Sequence, residues 1–580
     1  MLNQPIQWSK KQIREQLEVV RGNLPPTKVI ANASWLNSLR KQWMSGHIWI
    51  YGDRIVYVGS EYPVNIKGTD IIDVNGAPTV PGYIEHHAHP FQLYHPLNLA
   101  RYASERGTTT LISDNMPLFL NLPKKKAFTL LEELQKTPTL MLWWARYDGQ
   151  TALHDHDKHF THGKIMDWLN HPYVVQGGEL TDWPSVLHGD DSMLQWMQET
   201  KAKGMPIEGH LPGAGEKTLT QMALTGVDSD HEAMTEEDLL RRLDLGYTTS
   251  MRYSSIRPDL PQLLEAVRNH GLSTSDKLIM TTDGSPPKVM QEGVMDRVID
   301  IALEKDIPII DAIGMTTYNV AKHYRLDHVL GMIAPGKLAN LNILESETNP
   351  LPKSVMAKGQ WVVKEGQALH RHLEFSWEKY GFEPLNLDWQ LSSDDLHFSM
   401  PLGIEMVNDV IMKPYHPELD LTANVIEADR DECFFVLIDR YGEWKINTVI
   451  KGFADNLYGM ASSFSNTGDL ILIGKNKQGI LSAFNALKKQ NGGIVIVNEA
   501  GVEDRLPLAI SGVMSDLELP EIAKQEERLL STLKTKGYRY NDPVYALLFF
   551  SATHLPFVRV TQQGIFDVKQ KKVLFPSIMR

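Results

Sequence analysis

Between residues 78 and 330 the chain alternates short apolar runs with longer stretches in which apolar positions recur at helical spacing. Eight runs stand out: PTVPGYIEHHAH, GTTTLISD, TLMLWWARY, YVVQGGEL, MPIEGHL, GVDSDHE, YTTSMRY and KLIMTTDG. A near-continuous apolar run marks a strand buried on both faces, as in a parallel sheet. The intervening SMLQWMQETKAKG, EEDLLRRLDLG and PQLLEAVRNHG carry the helical period and end in the glycine that closes a helix. The alternation predicts an α/β fold, a (β/α)8 TIM-like barrel over residues 81–330.

The flanks follow other patterns. Residues 28–80 hold strand-like runs, HIWIYGD and IVYVGS among them, broken by Gly, Asn and Asp, and predict a small β-domain. GMIAPGKLANLNILES, within 331–372, has the turn-then-strand pattern of a return to that domain, which makes it discontinuous. From 395 to 580 the reading is a mixed α/β domain, with strands in VIEADRDECFFVLIDR, DLILIGK and GGIVIVNEAG and a helix in KQEERLLSTLKTKG. Residues 1–27 read as a polar, helical amino-terminal extension, and no internal repeat is found.

Composition narrows the partners. The chain has 580 residues, too many for one core, and a formal charge of −13 with no basic stripe, which argues against a nucleic-acid or anionic-membrane partner. No run of about 18 apolar residues and no signal-like segment is present, so a cytoplasmic protein is expected. The single cysteine, Cys433, excludes an internal disulfide framework and any zinc site built on several cysteines. A small-molecule substrate fits best, and a homo-oligomer is compatible with the sequence.

The chemistry gathers at the ends of the runs, where a barrel of this kind carries its active site. Run one crowds His86, His87 and His89 together; strand alternation puts His87 and His89 on one face and His86 on the other. Run four ends in Glu179, run five in His210, run six in His231 and run eight in Asp283. Any one of these alone reads more simply as a loop or helix cap. Together, four imidazoles and two carboxylates on one rim supply ligands for two divalent cations about 3.5 Å apart, with Glu179 as the bridge. Imidazole and carboxylate ligands without thiolate suit manganese, iron or zinc alike; manganese or iron is the expectation, with zinc a further candidate. The expected nucleophile is a metal-bound hydroxide, with Asp283 moving its proton and Glu232 sharing that task. Arg252, at the end of run seven, is a candidate for orienting substrate. HEAMT at 231–235 lacks the second histidine of a zinc-protease motif, and GHLPGAGEK lacks the spacing of a P-loop.

These residues sit in stretches that resemble the adenine deaminase family of the amidohydrolase superfamily. PGYIEHHAHP is similar to that family's PGF-I-D-x-H-x-H, GGELTDWPSVL to G-E-M-M-N-F-P-G-V, EGHLPG to D-G-H-A-P-G, and SDHEAMTEEDLLRRLDLG to S-D-H-E with its helix. The likeness continues through LGMIAPGKLANLNIL, GGIVIVNEAGVEDRLPLAISGVMSDL and NDPVYALLFFSATHLP, so residues 395–580 resemble the family's carboxy-terminal domain. The resemblance implies hydrolysis of adenine to hypoxanthine and ammonia, and metal-ligand roles for His87, His89, Glu179, His210, His231 and Asp283. Departures surround the cage. Pro90, Phe91 and Gln92 replace Ile-Glu-Ser, Asp114–Pro117 replace Asp-Pro-His-Glu, Gly284 replaces an aspartate, and Ser465–Asp469 replace a histidine-rich stretch. Two alternatives therefore stand beside adenine: another amino-heterocycle or cyclic amide as substrate, and a non-catalytic barrel that only binds.

Overall fold

The eight runs form eight parallel strands: β1 (Tyr83–Ala88), β2 (Thr108–Ser113), β3 (Leu140–Ala145), β4 (Val174–Leu180), β5 (Ile207–Gly209), β6 (Ser229–Asp230), β7 (Thr248–Arg252) and β8 (Leu278–Thr281). The computed structural model describes residues 8–369 and 375–580. Residues 1–7 of the expected amino-terminal extension and 370–372 of the expected β-domain return lie outside the described residues. Each strand pairs with its sequence neighbour and all eight are buried on both faces, which is why they read as apolar runs rather than as alternation.

β8 packs against β1 and nearly closes the barrel. The buried carboxylate of Glu85 on β1 joins the seam, accepting hydrogen bonds from Thr281 Oγ1 at 2.6 Å, Thr282 N at 2.8 Å and Thr282 Oγ1 at 2.7 Å. The three predicted helices are Asp191–Ala202, Glu236–Asp244 and Leu260–Asn269, each followed by a glycine at positive φ, 87° at Gly246. Glu236–Asp244 shows why its sequence is helical. Thr235 caps Asp238 N, three acids occupy the first turn and Arg241 and Arg242 the last, each opposing the helix dipole.

A nine-stranded sheet draws strands from both sides of the barrel in sequence, with Leu341–Ser346 antiparallel to Pro78–Pro81. Beyond it, a second nine-stranded sheet is centred on Glu432–Ile438, which pairs with Trp444–Lys451 and Leu470–Gly474 and is backed by helix Lys477–Gln490. Residues 375–394, outside the predicted domains, belong in part to this unit: Leu385, Leu387 and Leu391 pack with Phe434, Val436 and Phe484. The apolar core of the barrel is continuous with that of the carboxy-terminal unit, joining Met280 and Leu180 to Phe435, Ile450 and Phe550. Among the described residues no helix is long and apolar enough to cross a membrane.

One contact between the barrel and the carboxy-terminal unit makes stability depend on pH. Glu526, on helix Leu519–Thr535, is 5% exposed, and Lys288 N of the barrel donates to its Oε2 at 2.8 Å. Burial, with Asp542 nearby, pushes its carboxyl from 4.5 up to about 8. The folded state therefore holds a proton that the unfolded chain releases, and stability contributed below pH 4.5 is lost as pH rises through about 8. Glu526→Gln is expected to raise the melting temperature progressively over that interval relative to the wild type. Parallel melting curves across the interval would show that Glu526 is not the titrating group.

Candidate metal centre

Each strand end that bears a candidate ligand is held by a buried carboxylate taking backbone N–H groups that the sheet no longer uses. Glu85 takes His87 N at 2.9 Å and the amide of Thr282, which precedes Asp283. Asp148 takes Thr181 N at 3.0 Å and Asp182 N at 3.1 Å, just after Glu179. Asp230 takes Leu211 N and Glu232 N, both at 2.9 Å, and so positions the turns carrying His210 and His231. Asp283 sits at φ 50°, a left-handed conformation that aspartate tolerates better than most residues. Its neighbour Gly284 is required by close approach, because a Cβ there would meet His89 Cβ at 2.6 Å.

All six candidate ligands converge. His87, His89 and Glu179 offer ligand atoms within 4.8 Å of one another, as do Glu179, His210 and His231, and as do His87, His231 and Asp283. Glu179 belongs to two of these groups and so lies between them. Its Oε1 is 2.8 Å from His210 Nδ1 and 3.4 Å from His231 Nε2, while Oε2 is 3.8 Å from His87 Nε2. Asp283 Oδ1 is 3.4 Å from both His87 Nε2 and His89 Nε2. Arg252 Nη1 spans Asp283 Oδ2 at 2.7 Å and Glu232 Oε1 at 2.9 Å. Glu232 faces the same space, 3.3 Å from His210 Nδ1, and is held on its other oxygen by Arg257 at 2.9 Å. His86 turns away as alternation predicts, pairing with Ser250 Oγ at 2.8 Å, and burial lowers its imidazole to about 3.

Charge balance keeps the carboxylates ionised. Burial opposes ionisation of Asp283, but the Arg252 guanidinium and His89 outweigh it and hold the carboxyl well below its ordinary range. Glu179 is likewise held down against burial, by Arg146 at 2.9 Å and the hydrogen-bonding histidines. Burial pulls His89 down, yet Asp114 and Asp283 overcome it and carry the imidazole up to about 9.

The buried polar atoms also fit a metal. Glu208 Oε1 pairs with His231 Nδ1 at 3.1 Å, which places a proton there and leaves the Nε2 lone pair toward Glu179, and it lies 3.2 Å from His87 Nδ1 as a charge contact. Both ring nitrogens of His87 are buried with no hydrogen-bond partner. Sequence reasoning missed Glu208, though it precedes His210 by two in EGHL and so shares its strand face. It also missed Arg146, which stands near the end of run three and binds Asp114 Oδ2 at 2.7 Å. Asp114 ends run two; it was noticed only as a departure, yet it also reaches His89 Nδ1 at 3.1 Å.

The cage opens into a cavity of about 750 Å³, inside the range of about 300–1,000 Å³ typical of small-molecule sites. The barrel contributes Phe91, Gln92 and Gln150, and the carboxy-terminal unit closes the far side with Phe464, Tyr545 and His554. Tyr545 OH donates to Gly284 O, and Ser255 Oγ to Asp542 Oδ2 at 2.6 Å. Burial beside His210 holds the His554 imidazole well below its ordinary value. His554 lies in NDPVYALLFFSATHLP, a stretch whose family resemblance does not by itself place any of its residues against the barrel.

Residues 79–362 match the amidohydrolase family and residues 409–572 the adenine deaminase C-terminal domain. A protein of Halalkalibacterium halodurans named "Putative adenine deaminase" is 55% identical, covering 100% of each chain. One of Bacillus subtilis with the same designation is 46% identical, again over 100% of each. An "Adenine deaminase" of Shigella sonnei is 25% identical over 97% of this chain and 96% of its own.

Proposed function

The chain belongs to the adenine deaminase family of the amidohydrolases, and on that premise we propose that it hydrolyses adenine to hypoxanthine and ammonia at the rim of its barrel. It is a hydrolase acting on a C–N bond. The observation that carries this reading is the convergence of four imidazoles and two carboxylates into three overlapping groups, linked through His87, Glu179 and His231.

We assign His87, His89, Glu179, His210, His231 and Asp283 as ligands of two divalent cations, manganese or iron, with zinc as the alternative. Bound there, the cations supply a water whose pKa is lowered toward neutrality. Asp283 accepts a proton as the water oxygen adds to C6 and delivers it to the departing amine, so that adenine and water give hypoxanthine and ammonia. Arg252 fixes Asp283 through Oδ2 and leaves Oδ1 toward the histidines. Glu232 shares the proton traffic from the opposite side of Arg252. The charge of −13, with no basic stripe, supports an enzyme without nucleic-acid or anionic-membrane partners.

The test is ammonia release from adenine by protein reconstituted with manganese or iron, with hypoxanthine identified as product. Turnover that disappears on chelation and returns with metal is expected. Two bound cations per chain without turnover would sink adenine as the substrate. Another amino-heterocycle or a cyclic amide would then take its place, because Phe91 and Gln92 line the cavity where the family carries polar residues.

A further inference from the structure

His554 reaches the metal-ligand cavity from the carboxy-terminal unit, and nothing in the scheme above uses it. Its ring stands edge-on to His210, centroids 4.9 Å apart at 82°, and makes a looser edge contact with Phe549 at 6.1 Å. Its Nδ1 is buried and has no hydrogen-bond partner within the protein. The residue itself is only half-buried at the cavity wall, so with Nδ1 enclosed the ring offers its Nε2 edge to whatever fills the cavity.

Two simpler roles do not account for it. An apolar side chain would serve the ring contacts with His210 and Phe549 without stranding a polar atom. Among the described residues, His554 is also absent from every group of converging ligand atoms.

Its position is fixed from both sides. Thr553 N donates to Gln150 O at 2.8 Å, and Arg559 Nε to Ala552 O at 3.0 Å. Gln150 lies in the loop after β3, and its own Nε2 is 3.4 Å from Glu179 Oε2. One barrel loop therefore sets the imidazole against the cage before any ligand enters, as a recognition group requires.

We propose that His554 is a specificity-determining residue that hydrogen-bonds a purine ring nitrogen through Nε2 while the exocyclic amine lies over the cage. The inference rests on the reading of adenine hydrolysis given above. A neutral imidazole serves either polarity, donating to N3 or N7 or accepting from N9–H, according to its tautomer. The carboxy-terminal unit thereby takes part in substrate recognition and does more than cover the barrel.

The experiment compares kcat, KM and bound metal for full-length wild type, His554→Ala and His554→Asn, loaded with manganese. The substrates are adenine, 3-deazaadenine, 7-deazaadenine and 9-methyladenine. His554→Ala is expected to raise KM for adenine about tenfold, the loss of one hydrogen bond, with a smaller change in kcat and unchanged metal content. His554→Asn is expected to recover part of that loss. One analogue, penalised against adenine in the wild type, should lose its penalty in His554→Ala. An unchanged KM for adenine, undiminished penalties for all three analogues, or loss of metal from His554→Ala would each overturn the proposal. Wild-type protein inactive on adenine would overturn the reaction itself and this proposal with it. An active wild type indifferent to His554 would overturn this proposal alone.

Discussion

Asp283→Asn is expected to leave a folded protein whose kcat on adenine falls by about 10²–10⁴-fold, the usual contribution of a positioned proton carrier. The side chain keeps its shape, so the change isolates the carboxylate. Asparagine at 283 can still offer an oxygen, but it cannot accept a proton near neutrality. Arg252, which holds Asp283 Oδ2 at 2.7 Å, would keep its pairing with Glu232 at 2.9 Å, limiting the damage to the surroundings. Turnover and metal content measured on one preparation decide the matter. Wild-type turnover in the variant would show that the proton travels by another group, with Glu232 the first to examine.

Glu208→Ala should weaken metal binding by about 10–100-fold, the usual cost of losing a residue that orients ligating histidines. One oxygen of Glu208 stands 3.2 Å from His87 Nδ1 and 3.1 Å from His231 Nδ1, so a single substitution releases two rings. Activity is expected to return at high metal concentration, because the ligands themselves remain. Glu208→Gln should fall between the two proteins, since an amide oxygen in the same place still accepts but no longer carries charge. Metal titrations that coincide for wild type and Glu208→Ala would mean that packing alone holds the rings, with Trp144 4.4 Å from the His87 ring as the obvious support.

The six candidate ligands were legible because strand ends in a barrel are marked twice, by an apolar run and by the polar residue that terminates it. The groups that set their geometry were harder to read. Glu85, Asp148 and Asp230 resemble ordinary loop or strand acids in the sequence, and only their hydrogen bonds to Thr282, Thr181 and Glu232 show that they position the ligand turns. Arg146 had a signal, since it stands near the end of run three just past the strand, but an arginine there carries no ligand chemistry. Gly284 looked like a departure from the family pattern; its cause is the His89 side chain against which it packs.

The barrel's strand order, the candidate ligands and the family could be read from the chain alone, because apolar period and motif spacing are local properties. The tertiary structure alone decided how the parts meet. It brings His554 beside His210, lays the carboxy-terminal unit across the barrel mouth and gives Glu208 two histidines at once. Those relations depend on contacts between segments hundreds of residues apart or on opposite sides of the barrel, and no periodicity along the chain encodes a distance through space.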